Sequence, residues 1–340
     1  MTQVQHAVTV RPDPSPVRWE RAAVRCSLVL AGLAVALGLA DPVVLERGGP
    51  VVLAIGIVIG MPHGAVDHLV PFWTGRLRSG ARAMTVVLGG YLALAATVLV
   101  TLRLVGPAAL LVLLALSVLH FGVGDVMADR GRLAGPTTRP RMRRLLLGCA
   151  VLARGLPAVV LPLAVWPART DRMLRAVAPG AHPATPTIRL ALIALLVGCV
   201  AVSLVEAGRR HDPLTVVELI ALLALFGCVP PLAAFGVYFG GWHGLRHSAR
   251  MIESQPENQA DLRRGRRAAP VGRFLRAAAV PTGLALTGTA ALVVLARSGS
   301  GLAASAFSAL FALTVPHLII VGALDLGVLS ERPGDAGRNR

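Results

Sequence analysis

The chain has 340 residues, of which 55% are hydrophobic and only 15% charged, and its mean hydropathy is +0.68. Soluble domains carry about 25% charged residues, so an ordinary soluble enzyme is excluded; apolar runs of about 20 residues also exclude a β-barrel, whose strands would alternate over about 10. The net charge of +17 invites a nucleic-acid reading, but every basic residue is arginine and most lie in short segments between apolar runs, where they orient helices rather than bind a polyanion.

In chain order, residues 1–23 are polar and contain Pro12, Pro14 and Pro16. They read as a cytoplasmic tail, without the cleavage site of a removed signal peptide. Ten membrane spans are then predicted, at about 24–40, 50–70, 84–102, 106–125, 145–166, 188–207, 214–229, 231–248, 276–296 and 302–327. The seventh and eighth meet at Val229-Pro230-Pro231, so counts of eight or nine stay open. Residues 24–330 form one transmembrane domain and 331–340 a cytoplasmic C-terminal tail. The fold class is all-α, a polytopic transmembrane helical bundle. Cys26, Cys149, Cys199 and Cys228 sit in apolar runs with no CxxC pair and read as buried free thiols.

Charge orients this layout. With the N-terminus inside, twenty-five arginines fall on cytoplasmic segments and six on the opposite side, while Arg154, Arg189 and Arg246 lie within spans. That bias favours ten spans with both termini cytoplasmic.

Histidines interrupt the apolar runs. They occur in PHGAVDH (His63, His68), LHFGVGD (His120), GWHGLRH (His243, His247) and VPHLIIVGALD (His317, followed by Asp325). Ionisable groups are costly in hydrocarbon and mark function when they face a bundle interior. In the ten-span layout all six fall on even-numbered spans, in the cytoplasmic half. His6, His182 and His211 lie in tails or loops. His243 and His247, four apart, share a helix face and can bind one metal; the intervening Gly-Leu-Arg lacks the glutamate of a zinc protease. Asp67 shares a helix face with His63 and would orient an imidazole. His68, five residues from His63, points elsewhere. Asp125 and Asp325 read equally as orienting carboxylates or as helix-end groups, and Glu206 and Glu218 as interfacial. Gly60, Gly64, Gly122, Gly124, Gly240, Gly241 and Gly244 let helices approach closely. Phe121, Tyr238, Phe239 and Trp242 either pack or line a channel. Nitrogen-rich ligation suits iron, copper or zinc, and a site inside lipid would receive an apolar substrate laterally, together with dioxygen.

PHGAVDH, HFGVGD, the HGLRH pair and the late PHLIIV segment, in that order, resemble the motifs of the bacterial Brp/Blh β-carotene 15,15′-dioxygenases over about residues 50–325. The resemblance implies a multi-pass enzyme of the bacterial inner (plasma) membrane. It implies cleavage of β-carotene at its central double bond with O2 and Fe(2+), giving two all-trans-retinal molecules that an opsin would receive. By motif position the iron ligands are His63, His120, His243 and His247, with no catalytic side chain beyond the metal site. His63 is preferred over His68 partly on the resemblance. His68, His317, Asp67, Asp125 and Asp325 stand second. Two other classes remain: a proton-coupled transporter relaying through the histidines and aspartates, and a haem-binding membrane protein.

Overall fold

Proline sets where most helices begin. Among the described residues ten helices start on a proline, whose fixed φ suits the first helical position and whose missing N–H costs nothing there. Side chains cap several of these starts: the Asp41 carboxylate accepts from the Val43 and Val44 amides, Thr185 Oγ1 from Ile188 N–H, and Asp212 from Thr215 N–H.

The structure is a computed structural model that describes residues 18–73, 77, 80–128, 140–295 and 301–330. Its helices are α1 (Arg18–Ala40), α2 (Pro42–Gly60), α3 (Pro62–Ala65), a 3-10 turn (Asp67–Leu69), α4 (Val70–Trp73), α5 (Ala81–Val105) and α6 (Pro107–Ala128). There follow α7 (Pro140–Gly155), α8 (Pro157–Val165), α9 (Pro167–Val177), α10 (Pro186–Arg209) and α11 (Pro213–Cys228). Next come α12 (Pro231–Gly236), a π-helix (Val237–Gly244), α13 (Leu245–Ser254), α14 (Pro256–Arg263), α15 (Ala268–Leu295) and α16 (Gly301–Ser330).

Each of the ten predicted spans falls on one helix or one run of joined helices. Seven are long and apolar enough to cross a membrane, and an eighth, the α7–α8 pair, is bent by 50° at Leu156-Pro157. Helix α11 is apolar but has only 16 residues, and the α12–π–α13 rod carries Arg246 and Arg250 in its second half. These two explain why the count runs from seven upward. Helix α1 is already helical at Arg18, the first described residue, ahead of the predicted span.

The α12–π–α13 rod is central. It packs against α1, α2 and α6, while α7 packs against α6 and α10, and α5 and α15 flank α16. Only 6% of the apolar windows of α5 and α15 is buried, so these helices present leucines and valines outward, as a lipid-facing surface requires. Cys26 is exposed on α1, contrary to the buried thiol expected; Cys199 is buried, and Cys149 and Cys228 are half-buried.

Glycine permits the close crossings. A Cβ on Gly155 would stand 1.9 Å from Val118 O, and one on Gly122 2.0 Å from Val151 O. Between α2 and the rod, a Cβ on Gly56 would stand 2.1 Å from Gly236 O, and Gly240 and Gly244 are similarly tight against Gly56 and Gly60. These neighbours are backbone atoms and cannot swing aside. Gly155→Val is therefore expected to destabilise the fold by about 1–3 kcal/mol or more. Gly198→Val, which meets nothing within 4 Å, should leave it unchanged. Thermal unfolding of the detergent-solubilised variants checks both.

Candidate metal centre

Three departures from regular α-helix aim histidines at one point. The second span breaks after Gly60, where Met61-Pro62 starts α3, so His63 sits on a four-residue helix and Asp67 and His68 on a 3-10 turn. The rod widens to a π-helix over Val237–Gly244, a distortion frequent at functional sites. It ends at His243 and Gly244, and His247 follows on α13. In α16, Pro316 precedes His317 inside the helix and removes one backbone donor. His120 comes from the unbroken α6.

Five imidazoles meet there, all buried. Ring centroids lie 4.8 Å apart for His120–His243 and His120–His317, and 5.1 Å for His63–His243 and His63–His317. His247 lies 5.3 Å from His63, and 5.6 Å from His243 and from His317. One nitrogen from each of His63, His120, His243 and His317 falls within 4.8 Å of the others, an arrangement able to hold a metal ion. His247 packs against that group without joining it at that distance. Behind it Gly124 leaves room: a Cβ there would meet the His243 ring at 3.2 Å.

Two of the rings are held from outside, and two buried ring nitrogens have no partner. His63 Nδ1 bonds Gly60 O, and His317 Nδ1 bonds Asp67 Oδ2 at 2.7 Å. Each contact fixes a ring so that Nε2 faces inward. His120 Nε2 and His243 Nε2 face each other at 3.1 Å. His317 Nε2 and His247 Nε2 are buried with no hydrogen-bond partner. Buried polar atoms are nearly always satisfied, and converging bare imidazole nitrogens are the donor set that a borderline divalent cation takes. The residues therefore fit a metal.

The remaining candidates divide. Asp67 bonds His317 rather than His63, because Val66 (φ −94°, ψ 2°) ends α3 and breaks the expected helical register. His68 is half-buried outside the cluster. Asp125 accepts from Trp242 Nε1–H at 2.9 Å and touches no histidine. Asp325 lies on α16, but its side chain is outside the described residues. His182 and His211 are exposed, and His6 is outside the described residues.

Sequence reasoning missed a layer beneath the histidines. The Arg246 guanidinium stacks 3.8 Å over Trp242, donates to Glu218 Oε1 at 2.8 Å and to Ser27 Oγ at 3.2 Å. Glu218 was expected at the interface and is instead buried as the partner of Arg246; Glu206 pairs with Arg210. An arginine inside a span needs a counter-ion, which is the signal that could have found Glu218. Together these contacts tie the histidine-bearing rod to α1, α6 and α11.

A cavity of about 750 Å³ opens onto the centre. His63, His120 and His317 face it, whereas His243 and His247 do not. Phe121, Phe235, Phe239, Phe307 and Phe311 furnish much of its wall; Tyr238 and Trp242 are packed in the core behind it. The hydroxyls of Ser117, Thr170 and Thr314 in that wall donate to backbone carbonyls.

A family model described as β-carotene 15,15′-dioxygenase matches residues 54–325. The chain is 30% identical over 302 residues to a probable β-carotene 15,15′-dioxygenase Blh of Halobacterium salinarum, covering 82% of this chain and 85% of that one. It is 27% identical over 195 residues to the β-carotene 15,15′-dioxygenase of an uncultured marine bacterium, covering 57% and 66%. No solved structure matches it.

Replacing His63, His120 or His243 by alanine should abolish stoichiometric metal binding while the helical circular dichroism stays intact. Metal analysis of the purified variants checks it; full occupancy in any of the three would remove that residue from the centre.

Proposed function

Because the chain belongs to the β-carotene 15,15′-dioxygenase family, we propose that it cleaves the central 15,15′ double bond of β-carotene with O2, at Fe(II) held in the buried histidine centre. The products are two all-trans-retinal molecules. The observation that carries the reading is the junction of an apolar cavity with bare imidazole nitrogens: His63, His120 and His317 form part of the wall along which a polyene would lie. His63, His120 and His243 hold the ion, with His247 supplying the fourth donor that the motif order implies.

Bound there, Fe(II) would supply the chemistry of dioxygen binding and electron exchange. The reaction balances without an outside reductant: the C=C and O=O bonds break and two C=O bonds form. The protein's share is then positioning and exclusion. The aromatic wall holds the chain so that one double bond lies beside the histidines, and cleavage position follows from that placement. Buried Nδ1–H groups on His63 and His317 are held by Gly60 O and Asp67, so no proton is delivered or removed at the reacting carbons.

The same reading places the enzyme in the bacterial inner membrane as ten spans, with residues 24–330 as the catalytic unit and both termini cytoplasmic; the arginine bias supports it. Retinal released into the bilayer would reach an opsin laterally. A haem protein is disfavoured by the family. A proton-relay transporter is disfavoured by the family.

Cells that make β-carotene should lose colour and accumulate retinal when they express this chain. A product of other length, or persistent colour with the protein present, would contradict the reading.

A further inference from the structure

The pair formed by His317 and Asp67 has no part in the ligand set proposed above. It joins two distant parts of the chain: the 3-10 turn after the broken second span, and the last helix, where His317 follows Pro316. His317 Nδ1 lies 2.7 Å from Asp67 Oδ2, and both side chains are buried. Tyr91 of α5 places its hydroxyl 3.3 Å from the same carboxylate oxygen and 3.3 Å from Leu313 O, one turn before His317. Three elements thus fix the orientation of one imidazole.

A histidine serving only structure would be expected to use both nitrogens. His317 uses one. Its Nε2 is fully buried and bonded to nothing, and one of its ring nitrogens falls within 4.8 Å of nitrogens offered by His63, His120 and His243. A carboxylate–imidazole pair set against a group of imidazole nitrogens has the form of a metal ligand with its orienting partner.

Charge gives a second, independent reason. Neutral imidazoles leave a divalent ion's charge uncompensated in a medium where isolated charge is expensive. Glu218 is paired with Arg246, and Asp125 is bonded to Trp242. Among the described residues Asp67 is the carboxylate bonded to a histidine of the cluster, and its other oxygen, Oδ1, is buried without a partner. We infer that His317 ligates the metal through Nε2, on the cavity side of the centre, and that Asp67 is its positioning residue and supplies the negative charge that balances the ion through the imidazole.

This inference rests on the metal reading of the site and is separable from it. The wild-type enzyme is loaded anaerobically with Fe(II), its affinity is measured by competition with a chelator, and the electron paramagnetic resonance of the ferrous nitrosyl adduct is recorded. The same is done for His317→Gln, Asp67→Asn and Asp67→Ala. The isosteric His317→Gln and Asp67→Asn keep the measurement available if alanine disturbs folding. Asp67→Asn should weaken iron binding about 10–100-fold, and His317→Gln should weaken it further and change the nitrosyl spectrum. In His317→Gly, added imidazole should restore both affinity and spectrum. Unchanged chelator competition and an unchanged spectrum in His317→Gln and Asp67→Asn would overturn the inference while leaving the proposed function standing. A wild-type protein that binds no iron would overturn both.

Discussion

Five imidazoles buried together in hydrocarbon are the constraint on which the rest of this structure depends. Each ring brings two nitrogens into surroundings without water, where an unpaired polar atom is costly. Helix geometry alone cannot make five rings from five segments converge, and the irregular elements answer that need. The break after Gly60 turns His63 inward and frees Gly60 O to hold its Nδ1. The π-helix changes the phase of the central rod immediately before His243. The buried Arg246–Glu218 pair clamps that rod from below, a costly device placed where loss of position would scatter two histidines at once.

The centre also divides the interior into two kinds of space. On one side Tyr238 and Trp242 are fully buried, and Gly56, Gly236 and Gly240 bring backbone against backbone. On the other side phenylalanines and leucines surround a cavity and leave it open. The histidine cluster lies at the boundary. Dense packing behind and an apolar slot in front would let a long hydrocarbon approach while the imidazoles stay fixed. Peripheral helices with largely unburied apolar faces, α5 and α15, supply the lipid contact from which such a substrate would come.

Much of this was legible in the sequence for physical reasons. Apolar runs of membrane-spanning length gave the helices, and prolines marked where they start. The Pro-His of span two and the paired histidines of the rod marked functional segments because polar groups in such runs are costly. What was not legible depended on local departures from helix. Asp67 was paired with His63 by an i,i+4 rule that holds only if α3 continues through Val66, and it does not. His317 stood second because it is a lone histidine on a long apolar helix, with nothing nearby in sequence to reveal its partner Asp67 on the 3-10 turn. Glu218 looked interfacial because its counter-ion, Arg246, lies 28 residues away.

The central claim is that nitrogen donors from this cluster hold a single iron ion. X-ray absorption at the iron edge of the purified, ferrous wild-type enzyme tests it most directly. The account expects a first shell dominated by nitrogen, with the outer multiple-scattering pattern of several imidazoles and no second iron. A shell dominated by carboxylate oxygen or by sulfur, a short iron–iron vector, or the signature of a porphyrin would contradict it.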